Sequence, residues 1–124
     1  MNGLHLTADL HGCRRAHWLT DQPALATLCR HAVASAGLCC VAEQWHRFPA
    51  SAQGAGGITG VLLLAESHLA IHTWPERAAV TLDVYVCNFG RDNSQAAEAL
   101  LAGLLAEFAP ESQHIQRLQR GAAC

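Results

Sequence analysis

Apolar and polar positions alternate from the start of the chain, with Leu4, Leu6, Ala8 and Leu10 set between His5, Thr7, Asp9 and His11. That period predicts a half-buried strand over 3–11. The period then lengthens: Leu25, Leu28, Cys29, Ala32 and Val33 recur at helical spacing behind Thr20-Asp21-Gln22-Pro23, a cap with an early proline, until Gly37 stops the run. Residues 38–48 begin apolar and pass into Trp45, His46, Arg47 and Phe48, which predicts a second strand, expected beside the first. The small residues of 49–57 read as a loop. Two strands follow over 58–65 and 68–74, a turn over 75–79, and a strand over 80–87. Its Val80, Leu82, Val84 and Val86 share one face, and Thr81, Asp83, Tyr85 and Cys87 share the other, the expected wall of a site. Asn93-Ser94 then caps a helix whose stripe of Ala97, Leu100, Leu101, Leu104, Leu105 and Phe108 ends at Pro110. Beyond Glu111 the apolar content is too sparse to predict an element. The order strand, helix, strands, helix predicts an α+β two-layer sandwich, an antiparallel sheet with helices packed on one face.

Composition narrows the function classes. A chain of 124 residues with 51% hydrophobic content suits one domain with a real core. No apolar run reaches the roughly 18 residues of a membrane span and no secretory pattern opens the chain, so a soluble, cytoplasmic protein is expected. In that setting the six cysteines read as thiols, mostly buried, with the adjacent Cys39-Cys40 expected in the core. The net charge of −2, with no basic stripe, argues against nucleic acid and favours a small-molecule ligand. All eight basic residues are arginines, so no lysine is present to bind pyridoxal phosphate or to act as an amine nucleophile.

Candidate chemistry concentrates in 57–76, where an apolar strand runs into Glu66-Ser67-His68 and an alternating strand with His72 and Trp74 follows. A reactive serine and polar residues at strand ends both fit this pattern. No GxSxG surrounds Ser67 and no phosphate-binding glycine loop is present. His68 and His72, four apart on a strand, are separated by about 13 Å, too far to share one ion, so no metal site is expected.

Gly-Ile-Thr-Gly at 57–60, Ala-Glu-Ser-His-Leu-Ala-Ile-His-Thr-Trp-Pro-Glu at 65–76 and Leu-Asp-Val-Tyr-Val-Cys at 82–87 resemble the prokaryotic S-adenosylmethionine decarboxylase proenzymes, as do His46-Arg47-Phe48 and His5-Leu6. The resemblance implies a single pyruvoyl-dependent domain over 1–124 that cuts itself between Glu66 and Ser67 into 1–66 and 67–124. Ser67 would become a pyruvoyl group that forms a Schiff base with substrate and replaces the pyridoxal phosphate this chain cannot hold. The implied reaction decarboxylates S-adenosylmethionine to the aminopropyl donor of spermidine synthesis. By the same resemblance His72 accepts a proton during processing, Thr59 supports it where the family usually has serine, and Cys87 protonates the decarboxylated carbon. Phe48, Trp74 and Glu76 match substrate-binding positions, aromatic faces for adenine and the sulfonium and a carboxylate for ribose.

Two departures bear on the substrate: the segment after Phe48 is longer than usual in the family, and Asn88 follows Cys87 where glycine is usual. A pyruvoyl enzyme acting on arginine or ornithine, or a non-catalytic paralogue that binds a partner, are the alternatives. Reach adds an expectation about assembly. His72 lies five residues after Ser67, about 16 Å along an extended strand, too far for proton transfer. Either the chain bends sharply after Ser67 or a two-fold homodimer brings His72, Thr59 and Phe48 of one copy to Ser67 and Cys87 of the other. A hairpin centred near Arg77 would put Cys87 roughly opposite Ser67.

Overall fold

The computed structural model describes residues 2–121, in the order β1 (Asn2–His11), α1 (His17–Thr20), α2 (Gln22–Ser35), β2 (Cys40–Arg47), β3 (Ile58–Leu64), β4 (Ser67–Trp74), a 3-10 turn (Pro75–Arg77), β5 (Ala79–Cys87), α3 (Ser94–Phe108) and β6 (Ser112–Gly121). The strands form one sheet in the order β2-β3-β4-β5-β1-β6, every neighbouring pair antiparallel. No described helix is long and apolar enough to cross a membrane.

The period-2 patterns decide which face is buried. Leu6 and Leu10 of β1, Leu62 of β3, Leu69 and Ile71 of β4, and Val80, Val84 and Val86 of β5 are fully buried against Leu25, Cys29 and Val33 of α2 and Leu100, Leu104 and Phe108 of α3. Each such side chain contributes about 1.5 to 3 kcal/mol by leaving water. The intervening residues point to the other face, which no described helix covers. This is the expected two-layer architecture.

Capping follows the sequence at α2, where the Asp21 side chain accepts from the Ala24 amide at 3.1 Å and Pro23 sits in the first turn. At α3 it differs. The Asn93 side chain makes no cap, and the Ser94 amide instead donates to Asp92 Oδ1 at 2.9 Å. That carboxyl is held below its usual range by its bonds from Ser94.

Three further expectations are corrected. β2 does not lie beside β1; it pairs with β3 at one edge, because β5 and β6 occupy both sides of β1. The tail beyond Glu111 forms β6, whose sparse apolar content suits an edge strand that packs Ile115 toward the core and ties Arg117 to Glu98 of α3 at 2.7 Å. Cys39 is exposed and Cys40 half-buried, since they lie at the start of the edge strand β2. The five described cysteines are free thiols, and Cys124 lies outside the described residues. Burial pushes the Cys13 thiol up and the Cys29 thiol up to about 12, which leaves both inert near neutrality.

Thr73, the one buried polar side chain among the described residues, ties the layers together at one end of β4. Its hydroxyl donates to the Leu19 carbonyl at 2.8 Å and accepts from the Ile58 amide at 2.9 Å. The two glycines of Gly-Ile-Thr-Gly have steric reasons. A Cβ on Gly57 would strike the Thr73 carbonyl, and one on Gly60 would strike the Trp45 ring. Both close approaches fix the backbone that carries Thr59.

Candidate active site

The two ends of β4 carry different chemistry. At its start, Ala65 and Glu66 form the tight turn from β3, and Glu66 takes a left-handed backbone with φ 57°. That conformation costs an L-residue with a Cβ about 1 to 2 kcal/mol, so strain sits on the residue whose carbonyl begins the Glu66-Ser67 bond. Ser67 Oγ accepts the Cys87 amide at 3.2 Å. The β4–β5 register, with His68 opposite Tyr85, sets Ser67 and Cys87 side by side as the hairpin predicts.

Cys87 is itself pinned. Asn93 Nδ2 donates to the Cys87 carbonyl at 3.0 Å, while Asn88 Oδ1 accepts the Asn93 amide at 2.8 Å and Asn88 Nδ2 donates to Ser94 Oγ at 3.2 Å. The Asn88 amide also reaches the Asn2 carbonyl at 2.9 Å. Asn88, where the resemblance leads one to expect glycine, thus anchors the loop after Cys87, and Asn93 is diverted from capping to hold it. Beside these residues a cavity of about 380 Å³ is lined by Glu66, Tyr85, Cys87 and Phe89.

The other end of β4 holds the second group. Thr59 and His72 are Cα partners across β3 and β4, and Thr59 Oγ1 lies 3.0 Å from His72 Nδ1. Next to them a cavity of about 270 Å³ is lined by Phe48, Gly57, Thr59, His72, Thr73, Trp74 and Glu76. Phe48 and Trp74 are 49% and 44% exposed, so neither is a core aromatic. Trp74 Nε1 donates to Thr81 Oγ1 at 3.3 Å, and on the other flank of that tryptophan lies a cavity of about 540 Å³ that Glu76 also lines. Two exposed aromatic side chains and a carboxylate lining one cavity suit a flat, cationic ligand.

The structure therefore brings Ser67, Glu66 and Cys87 together, and separately brings Thr59, His72, Phe48, Trp74 and Glu76 together. It does not join the two groups. β4 is continuous from Ser67 to Trp74, without the bend that would let His72 reach Ser67 in one chain.

A cluster absent from the sequence-based site lies on the same open face. His5 Nε2 and His68 Nε2 lie 2.9 and 2.7 Å from the same oxygen, Asp83 Oδ2, and Arg120 Nη1 lies 2.8 Å from His5 Nδ1. Four consecutive strands of the sheet, β4, β5, β1 and β6, each supply one member. The ligand atoms of His5, His68 and Asp83 all lie within 4.8 Å of one another. Tyr85 packs against both imidazoles, its ring centroid 5.8 Å from each. The alternation of β1 and β5 signals that His5 and Asp83 share the polar face; their meeting depends on strand order, and Arg120 on a strand the pattern does not reveal.

Comparison with known proteins adds to this geometry. Residues 4–121 match the family described as S-adenosylmethionine decarboxylase. The chain is similar to the S-adenosylmethionine decarboxylase proenzyme of Picrophilus torridus, 33% identical over 96% of this chain and 84% of that one. It is equally similar to the proenzyme of Archaeoglobus fulgidus, 33% identical over 96% of this chain and 97% of the relative. The fold is like that of the adenosylmethionine decarboxylase of Aquifex aeolicus, whose crystal structure superimposes with a TM-score of 0.85 at 31% identity, covering 98% of this chain and 92% of the other.

Proposed function

The chain belongs to the S-adenosylmethionine decarboxylase family, and on that premise we propose that it cuts itself between Glu66 and Ser67 and then decarboxylates S-adenosylmethionine, giving the aminopropyl donor for spermidine synthesis. The observation that carries this reading is the turn at the cut. A strained Glu66 precedes a serine whose hydroxyl is held by the Cys87 amide beside a cavity.

In the processing step Ser67 Oγ attacks the Glu66 carbonyl carbon, and an ester forms as the amide bond breaks. A base removes the Ser67 α-proton and Oγ departs with the Glu66 carboxylate. Hydrolysis then releases the nitrogen as ammonia and leaves a pyruvoyl group at the head of 67–124. The chain's lack of lysine fits this source of a carbonyl cofactor. That group supplies an electrophilic ketone to hold the substrate amine and to accept the electron pair as carbon dioxide departs. Cutting the turn also frees residue 67 from the geometry Glu66 imposes on it.

The residues divide the remaining work. His72 takes the proton during processing, and the Thr59 hydroxyl at 3.0 Å orients its ring. Phe48 and Trp74 flank the adenine and the sulfonium, Glu76 accepts ribose hydroxyls, and Cys87 protonates the carbon that loses carbon dioxide. Because His72 and Ser67 sit about 16 Å apart on a straight strand, the active form is a homodimer in which each copy completes the other's site. The open sheet face supports this, since Leu63, Phe48, Trp74 and Leu118 are each more than two-fifths exposed.

The test combines mass and turnover. Purified protein is expected as fragments of 66 and 58 residues, the second beginning with a pyruvoyl group. It releases carbon dioxide from carboxyl-labelled S-adenosylmethionine without added pyridoxal phosphate, and borohydride with substrate abolishes this. One uncut mass after long incubation, or turnover of arginine or ornithine in place of the sulfonium, overturns the proposal.

A further inference from the structure

In decarboxylation the carbon–carboxylate bond breaks, its electron pair stays with the carbon and is drawn toward the electrophile, and carbon dioxide leaves without charge. A proton from Cys87 then takes the vacated place. The carboxylate thus starts with a full negative charge and loses it on the way to the transition state. Surroundings that solvate the anion poorly raise the bound substrate more than the transition state, so they speed the chemical step. Such surroundings need an apolar wall, and no cation, where the carboxylate sits.

We propose that Phe89 is that wall, the residue that faces the substrate carboxylate and promotes its loss; this rests on the decarboxylase reading above. The carboxylate is one bond from the carbon that Cys87 protonates, so it shares the cavity of about 380 Å³ that Cys87 lines with Glu66, Tyr85 and Phe89. None of these four carries a positive charge, and Glu66 brings a carboxylate that repels another. The nearby arginines do not supply the missing cation. Arg91 of the same loop does not line the cavity, and Arg120, 5.7 Å from the Tyr85 ring centroid, is committed to His5 Nδ1 at 2.8 Å.

Phe89 is also held in place. It is 71% exposed, the most of any large apolar side chain among the described residues, yet its backbone is fixed on both sides. On one side the Asn88 amide donates to the Asn2 carbonyl at 2.9 Å, and the Asn88 side chain bonds the Asn93 amide at 2.8 Å and Ser94 Oγ at 3.2 Å. On the other, Gly90 turns the chain with φ 80°, a conformation open to glycine. A ring set beside Cys87 in advance loses little freedom when substrate arrives. Asn88 is in this way a positioning residue for Phe89. The ring needs no solvent in this role, and in the homodimer proposed above a second copy over the sheet would exclude water from the same cavity.

Turnover is measured per cleaved chain, so a processing defect does not enter the result. Phe89→Leu, which keeps an apolar wall, is expected to hold kcat within about threefold, and Phe89→Gln to lower it about 10-fold with KM little changed. Phe89→Arg, which gives the carboxylate a partner, is expected to lower kcat about 10²-fold while KM falls. Binding is read without turnover in cleaved protein treated with borohydride alone, which leaves a hydroxyl where the ketone stood. By calorimetry on that protein, Phe89→Arg is expected to tighten S-adenosylmethionine about 10-fold and not to tighten its decarboxylated form, which lacks the carboxylate. Unchanged kcat in Phe89→Gln and Phe89→Arg, an equal loss in all three variants, a change in KM alone, or tighter binding of both ligands overturns the assignment. So does a Phe89→Gln chain that sediments as a monomer beside a dimeric wild type, which makes Phe89 an interface anchor. Wild-type protein that neither cuts itself nor releases carbon dioxide fails the decarboxylase reading itself, a separate outcome from these.

Discussion

The two ends of β4 are built in opposite ways. Around Ser67 the polar groups are satisfied within the chain: the Cys87 amide on the serine hydroxyl, Asn93 on the Cys87 carbonyl, and Asn88 on Asn93. Around His72 the principal side chains stand open, with Phe48 and Trp74 about half exposed and a cavity beside them. The first end is organised to hold a bond in a strained turn. The second presents aromatic surface with no cover from its own fold, as a half-site does. One extended strand carries both ends and keeps them apart, and the homodimer proposed above would bring unlike ends together across the open face.

The comparison is broken most completely at the tight end. Ser67→Ala removes the attacking oxygen and is expected to leave one chain of 13.2 kDa by intact mass, with no carbon dioxide released. Next in size, His72→Ala alone is expected to slow self-cleavage by about 10²-fold or more, as loss of a proton acceptor does. Co-expressing it with Ser67→Ala sharpens the comparison: if the site is shared between copies as proposed, the His72→Ala chain of the heterodimer is expected to be cut, with the histidine coming from the Ser67→Ala copy. Heterodimers without such rescue would place the histidine's action within its own chain.

At the open end the effects are smaller. Trp74→Ala is expected to raise KM for S-adenosylmethionine by about 2- to 30-fold with cleavage intact, the worth of a cation–π and stacking contact, read from steady-state kinetics. Smallest are the edges of the sheet. Arg30 holds the Glu43 carboxyl below its usual range, with a further hydrogen bond from Trp45, and Arg117 does the same to Glu98. A depressed folded-state value stabilises the fold above the unfolded carboxylate range, near pH 4.3, and that stability is lost as pH falls through the lowered values. Melting scans are therefore expected to show Tm constant from pH 7 to about 5 and falling below about pH 4, and Glu98→Gln blunts part of that fall. Both pairs are largely exposed, so each contribution is small.

What the sequence determined by itself is what lies in local period and short motif. Strict alternation over 80–87 fixes which side chains of β5 meet the helices, and Thr20-Asp21-Gln22-Pro23 starts α2, because these depend only on neighbours a few residues away. The block over 65–76 likewise points to Glu66-Ser67. Tertiary structure decided what depends on partners distant in the chain. β6 carries too few apolar residues to announce itself and exists because β1 offers it an edge and α3 a carboxylate. Asn93 reads as a cap until the Cys87 carbonyl competes for its amide. His5, His68, Asp83 and Arg120 span 115 residues of chain and meet only because the sheet order sets β4, β5, β1 and β6 side by side. Alternation along a strand says which face a residue takes; the residue it meets on that face is set by strand order, which no single strand encodes.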